Sequence, residues 1–159
     1  MIGIFAGTFD PFTLGHKEVV IKALGVFSEV HIVIAINPSK KCMFPIDLRK
    51  KIIEQSFQGD DRIKIVYWEG LIVDFCKEVG SKHIIRGLRG ATDFGYENMI
   101  YHANQLVNPE IETIYFMTSG NYIGISSSGV RELVKNKHYQ ELSRFMCPEV
   151  DLNLLKLNE

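Results

Sequence analysis

Four short polar segments of this chain carry residue types suited to holding phosphate. The first is Gly7-Thr8-Phe9-Asp10-Pro11-Phe12-Thr13-Leu14-Gly15-His16. Gly7 permits a sharp turn and Gly15 a close backbone approach to a ligand. His16 falls in the first turn of a helical pattern, where free N–H groups and the helix dipole favour anions. The second, Asn37-Pro38-Ser39-Lys40-Lys41, offers lysine as a flexible point charge. The third, Arg86-Gly87-Leu88-Arg89-Gly90, offers planar guanidiniums for two-point contact with phosphate oxygens, with glycines that let the backbone sit close to a ligand. The fourth, Ile125-Ser126-Ser127-Ser128, puts three hydroxyls at a helix start, able to cap it or to donate to phosphate. Each has a plainer reading when taken singly. These are a glycine- and proline-rich turn with a surface histidine, a solvated basic turn, arginines paired with Asp93 or Glu97, and an ordinary helix cap.

The elements around these segments favour the chemical reading. Short apolar or β-branched runs at 2–6, 30–36, 63–67, 83–86 and 113–117 predict five strands. Between them, apolar residues recur at helical spacing. Val19, Val20, Ala23, Leu24 and Phe27 form one such set, and Leu48, Ile52, Ile53 and Phe57 a second over 47–57, with Asp47 as its N-cap candidate. Leu71, Ile72, Phe75, Cys76 and Val79 form a third, which Gly80 ends. Met99, Ile100, Ala103, Leu106 and Val107 supply the apolar side of a fourth helix, stopped before Pro109. Helical pieces at 128–136, 138–145 and after Pro148 complete the chain. Alternation of this kind predicts an α/β fold: a doubly wound, mostly parallel five-stranded sheet with helices on both faces and a helical C-terminus. Such sheets bind ligands outside the carboxyl ends of their strands, where the strand order reverses. All four polar segments follow strands.

Composition narrows the classes. The 159 residues fit one domain over 1–159, and 46% hydrophobic with 23% charged residues is ordinary globular usage, which argues against disorder. No apolar run approaches the ~20 residues of a membrane helix, and the N-terminus, with no basic flank, is expected to be a first strand rather than a signal peptide. Three widely spaced cysteines, Cys42, Cys76 and Cys147, fit a reducing cytoplasm better than a disulfide framework. A net charge of -1 gives no broad attraction to nucleic acid or membrane. His31, His83, His102 and His138 lack metal-ligand spacing and are expected to be structural or exposed.

The first segment resembles the Gly-Thr/Ser-Phe-Asp-Pro…Gly-His signature of the nucleotidylyltransferase superfamily, which implies a Rossmann-like fold. Together with Pro38-Ser39-Lys40-Lys41, Arg86-Gly87-Leu88-Arg89 and Ile125-Ser126-Ser127-Ser128, it resembles the phosphopantetheine adenylyltransferase family over most of the chain. The resemblance implies transfer of the adenylyl group of ATP to 4′-phosphopantetheine, giving dephospho-coenzyme A and pyrophosphate. It implies His16, Lys40 and Arg89 as catalytic residues, and Thr8, Lys40, Ile72 and Arg86 as contacts to the acceptor. ATP would be met by Thr8, Phe9, His16, Gly87, Leu88, Arg89, Glu97, Tyr122, Ile123, Gly124, Ile125, Ser126, Ser127 and Ser128. Magnesium would come with the ATP phosphates, with no protein ligand. Coenzyme A or dephospho-coenzyme A would bind as product or feedback ligand, and the assembly implied is a homohexamer.

Ala6, Gly90 and Gly95 depart from residues common in that family, as does the segment 117–122. Gly95 is expected to loosen its helix by up to ~1 kcal/mol. Two other readings stand beside this one: a sister transferase using another acceptor or CTP, and a nucleotide-binding module without catalysis.

Overall fold

The computed structural model describes residues 1–156. The last three residues of the domain expected over 1–159 lie outside the described residues. Five strands form one sheet: β1 (Ile2–Gly7), β2 (Glu29–Ile36), β3 (Ile63–Glu69), β4 (His83–Leu88) and β5 (Glu112–Met117). Their order is β3-β2-β1-β4-β5, and every pairing is parallel. The chain winds outward from β1 in one direction and, after β3, returns to add β4 on the other side of β1. The strand order therefore reverses between β1 and β4, and a crevice opens beyond the carboxyl ends of these strands.

The buried runs of β1 and β2 are apolar on both faces because helices cover both. Phe5, Ile32 and Ile34 join one core with Val20 and Ala23 of helix α1 (Leu14–Leu24) and Ile52 and Ile53 of helix α2 (Ile46–Phe57). Ile4, Ala6 and Val33 join a smaller core with Val73, Phe75 and Cys76 of helix α3 (Ile72–Glu78). Each large side chain among these, Val, Ile or Phe, contributes about 1.5–3 kcal/mol by leaving water. Helix α5 (Ser127–Lys135) adds Val130 and Val134 to the larger core, and two 3₁₀ segments, Tyr139–Arg144 and Leu152–Leu155, close it with Leu142 and Leu155.

Two local expectations are corrected and one is made more specific. Helix α2 begins at Ile46 after Pro45, so Asp47 lies inside the first turn and is not its cap. The helical piece expected over 138–145 is 3₁₀, a tighter winding that suits a short connector. Helix α4 (Ala91–Val107) carries its apolar side outward: Met99, Leu106 and Val107 are 64%, 90% and 50% exposed, and Glu97 is the helix's buried residue. Its position over β4 and β5 is held by polar contacts of Glu97 and by the partly buried Ile100 and Gln105.

Candidate active site

A cavity of about 570 Å³ lies at the reversal point, between the carboxyl ends of β1, β4 and β5 and the first turns of α1 and α5. That volume is in the range of sites for small organic ligands. Its floor is Gly7 to Phe9 and Arg86 to Gly87. Its sides are His16 from α1, Asp93 and Glu97 from α4, and Ile125 to Ser128 leading into α5.

His16 is held by its own helix start. Thr13 precedes α1 in extended conformation, and its backbone N–H donates to His16 Nδ1 at 3.1 Å, one arm of a capping box. A ring nitrogen that accepts an amide hydrogen is unprotonated, so the neutral imidazole carries its hydrogen on Nε2, free to donate to a ligand. Phe9 and Phe12 flank the ring with centroids at 5.2 and 5.3 Å. Burial, then the charges of Arg89 and Arg86, pull the imidazole pKa from its usual 6.5 to about 4. Because the folded value lies below the unfolded one, the unfolded chain binds more protons between these limits. Stability should therefore fall as pH drops from about 6.5 towards about 4. A His16→Asn variant should show a flatter dependence of Tm on pH over that window, measured by thermal unfolding.

The glycines act differently from expectation. The sharp turn after β1 is made by Phe9, at φ 48, a region costly for a bulky residue. Gly7 is required because a Cβ there would meet the Phe9 ring at 2.9 Å. A Cβ on Gly87 would meet Val19 Cγ2 at 2.7 Å, so this glycine lets α1 close on β4, and it also lines the cavity. Phe9 lines the cavity, yet it is 4% exposed and its ring packs on Phe5, Phe12 and His16.

Both arginines of the third segment are paired with carboxylates, the plainer of the two readings given above. Arg86 donates from Nε and Nη2 to the two oxygens of Glu97, at 2.7 and 2.5 Å, and from Nη1 to the Ala6 carbonyl at 3.1 Å. A guanidinium at the end of an apolar strand needs an anion, and one turn of α4 brings Glu97 to it. Glu97 faces the cavity, but its carboxylate is engaged by Arg86. Arg89 pairs with Asp93 at 2.8 Å in a more exposed setting, where such pairs contribute little and exchange readily for another anion. Both guanidiniums still line the cavity.

Thr8, Tyr122, Ile125, Ser126, Ser127 and Ser128 come together there as expected. Ser126 caps α5 by accepting the Gly129 N–H at 3.1 Å, and the Ser127 hydroxyl donates to the Pro11 carbonyl at 2.7 Å, tying α5 to the first loop. Other expected residues fall outside the lining. Leu88 is buried in the sheet, Ile123 is 50% exposed, and Gly124 lies beside it on the surface. Ile72 packs against the smaller core. Lys40 is exposed in the loop after β2, at the same end of the sheet as the cavity but not lining it. That loop is anchored at its far end, where Asp10 accepts the Met43 and Phe44 amides at 2.8 and 2.9 Å. The buried Arg49 binds the Phe44 and Thr8 carbonyls at 3.1 and 2.6 Å. Thr13, Thr92, Tyr96 and Thr118 also line the cavity and were not anticipated. Thr118, directly after β5, could have been found by the strand-end rule.

The cytidylyltransferase-like family pattern matches residues 4–133. A phosphopantetheine adenylyltransferase of Flavobacterium psychrophilum is 40% identical over 133 residues, spanning 84% of this chain and 87% of its own. The chain belongs to the phosphopantetheine adenylyltransferase family.

Among solved structures, the fold is similar to a bifunctional NMN adenylyltransferase/ADP-ribose pyrophosphatase of Francisella tularensis, crystallised with AMP and a manganese ion, at TM-score 0.66 and 22% identity. The same protein in a second crystal structure gives an equal score. This chain is covered over 97%, but it spans about half of that longer protein, 47% in the first case. At that identity the likeness concerns the fold. Within the phosphopantetheine adenylyltransferase family, two of the departures noted above touch the site: Ala6 lines the cavity and its carbonyl accepts from Arg86, and the segment 117–122 supplies Thr118 and Tyr122. A Cβ at Gly90 or Gly95 would meet nothing within 4 Å, and Ala6 is 7% exposed in β1. Among the described residues no group of three or more His, Cys, Asp or Glu side chains could hold a metal ion, and no helix is long and apolar enough to cross a membrane.

Proposed function

We propose that this chain joins ATP to 4′-phosphopantetheine in the cavity at the reversal point, giving dephospho-coenzyme A and pyrophosphate. The observation that carries the reading is a set of donors suited to phosphate lining one cavity: His16, Arg86 and Arg89 with the first turn of α5. An oxygen of the acceptor phosphate attacks the α-phosphorus of ATP. The bond from that phosphorus to the bridging oxygen breaks, and pyrophosphate leaves with the electron pair. The acceptor oxygen is already anionic at neutral pH, so no general base is needed. The task is to hold two mutually repelling anions in line and to stabilise charge on the phosphorus and the leaving group.

His16 Nε2–H donates to the phosphate under attack. Arg89 leaves Asp93 for the leaving phosphates, and Lys40 reaches in from its loop. Thr8 and Arg86 take the acceptor phosphate, with Glu97 orienting Arg86. The 122–128 segment takes the adenosine side. Each preorganised donor in a dry site contributes about 3 kcal/mol. Magnesium enters on the ATP phosphates. The lining donors suit oxygen anions rather than a cation, and the carboxylates of Asp93 and Glu97 are both engaged by arginine. Free thiols at Cys42, Cys76 and Cys147 support a cytoplasmic location.

Pyrophosphate release from magnesium-ATP should require 4′-phosphopantetheine, and CTP should not replace ATP. Turnover with cytidine or nicotinamide substrates instead would move the chain to the sister-transferase reading. ATP binding without pyrophosphate release would make it a binding module.

We further propose that the outward apolar side of α4 is covered by further copies in a homohexamer. Leu106, Met99 and Val107 are large apolar groups left to water by the single chain. Leu106→Glu should lower the mass seen by sedimentation without changing the fold seen by circular dichroism. An unchanged mass would place the interface elsewhere.

A further inference from the structure

Helix α1 presents His16 at its first turn and, two residues further on, grips a segment far away in sequence. Both oxygens of Glu18 accept the backbone N–H of Ser119, at 3.2 and 3.1 Å, and Glu18 Oε1 also accepts the Ser119 hydroxyl. Lys22, one turn on, pairs with Glu18 at 2.9 Å and donates to the Met117 carbonyl at 2.6 Å and to Ser119 Oγ at 3.2 Å. The Glu18 side chain is 12% exposed, while Lys22 and Ser119 remain open to solvent. Burial alone would raise its carboxyl pKa, but the Ser119 hydroxyl, Lys22 and the Ser119 amide together hold it below the usual value.

Ser119 is the root of the segment that closes the nucleotide side of the cavity. Thr118 before it lines the cavity and donates to the Leu88 carbonyl at 2.7 Å. After it, Tyr122 N–H binds the Ser119 carbonyl at 2.9 Å, and Ile125 N–H binds the Tyr122 carbonyl at 3.0 Å. Two linked turns therefore carry the position of Ser119 to Tyr122, Ile125 and the cap residue Ser126. At their far end they lie against α1 again, where a Cβ on Gly15 would be 3.7 Å from the Ile125 carbonyl. Neither Glu18 nor Lys22 lines the cavity.

We propose that Glu18, assisted by Lys22, is a positioning residue for the nucleotide: it fixes the 119–126 connection to the helix that carries His16, so that the adenosine wall and the phosphate-binding imidazole keep one spacing. The acceptor side, built on Thr8 and Arg86, does not depend on this clamp. A segment of turns around one short 3₁₀ helix, Gly120–Tyr122, has no strand or long helix of its own to hold it, and a shift of about 1 Å in a positioning element is enough to weaken a site strongly.

The inference rests on the adenylyl-transfer reading. The test is steady-state pyrophosphate release by the full chain and its Glu18→Ala, Glu18→Gln and Ser119→Ala variants, with Tm measured for each. Glu18→Ala should raise the KM for magnesium-ATP about tenfold or more. Its KM for 4′-phosphopantetheine should stay within about twofold, and its kcat should fall less than the ATP KM rises. Glu18→Gln, which keeps one acceptor oxygen, should show a smaller rise, and Ser119→Ala a rise without loss of helix α1. If Glu18→Ala does not fold, Ser119→Ala carries the comparison. An unchanged ATP KM, or equal losses for both substrates in step with Tm, would overturn the proposal. Should the wild-type chain release no pyrophosphate, the functional reading fails. Equilibrium binding of magnesium-ATP to the same variants then still decides the clamp, since an affinity unaltered by Glu18→Ala rejects it.

Discussion

Replacing His16 with alanine is expected to lower kcat by about two to three orders of magnitude while the KM for magnesium-ATP changes by no more than about threefold. The imidazole is neutral, its Nδ1 is fixed by the Thr13 amide, and its Nε2–H is the part left for a ligand. Ground-state ATP has other donors, from the arginines and the α5 start, so losing one neutral hydrogen bond costs its binding little. In the transition state the charge that Nε2–H meets grows on oxygens around the α-phosphorus, where a preorganised donor is worth most. His16→Asn tests the geometry separately. Its amide can donate but lacks the reach of the ring, so partial recovery of kcat at most is expected. Steady-state kinetics against both substrates separates the outcomes. A fall in kcat matched by an equal rise in ATP KM would assign His16 to plain binding.

The second large effect is expected at Arg86. Arg86→Ala should destabilise the fold by about 3 kcal/mol and abolish measurable saturation by the acceptor. The stability loss follows from Glu97, whose side chain is 10% exposed and whose carboxylate would lose both hydrogen bonds from the Arg86 guanidinium. Removing both charges in an Arg86→Ala, Glu97→Gln double variant should recover most of the stability, because the remaining amide is neutral. Activity should not return with it. Thermal unfolding read alongside acceptor KM makes the distinction. Recovery of activity in the double variant would reduce Arg86 to a structural ion pair.

Much of this site was legible in the chain because its parts are local. Strand, polar loop and helix start follow one another within a few residues at Gly7 to His16 and again at Ile125 to Ser128. Side-chain type and turn chemistry act over that same range. The parallel five-stranded sheet was equally readable, since apolar strands alternating with helical periodicity leave few other arrangements. What was not legible has a different cause. The Arg86–Glu97 and Arg89–Asp93 pairs were visible as candidates, but that α4 passes β4 closely enough to form them is a matter of distance. Lys40 sits after a strand as the rule requires, yet the spacing does not say how near the cavity the loop after β2 holds it. Helix α4 has ordinary amphipathic spacing, and the pattern does not say whether a sheet or another copy of the chain is to cover it.

By itself the sequence determined the order of elements, the parallel α/β class and the presence of four strand-tipped segments whose residue types suit phosphate, because propensity and periodicity act between residues near one another in the chain. Only the tertiary structure decided which strands are neighbours at the reversal point, that Phe9 rather than Gly7 makes the turn, and that Glu18 holds Ser119. Those depend on packing between segments up to a hundred positions apart, where the contact that wins is set by shape and burial rather than by spacing along the chain.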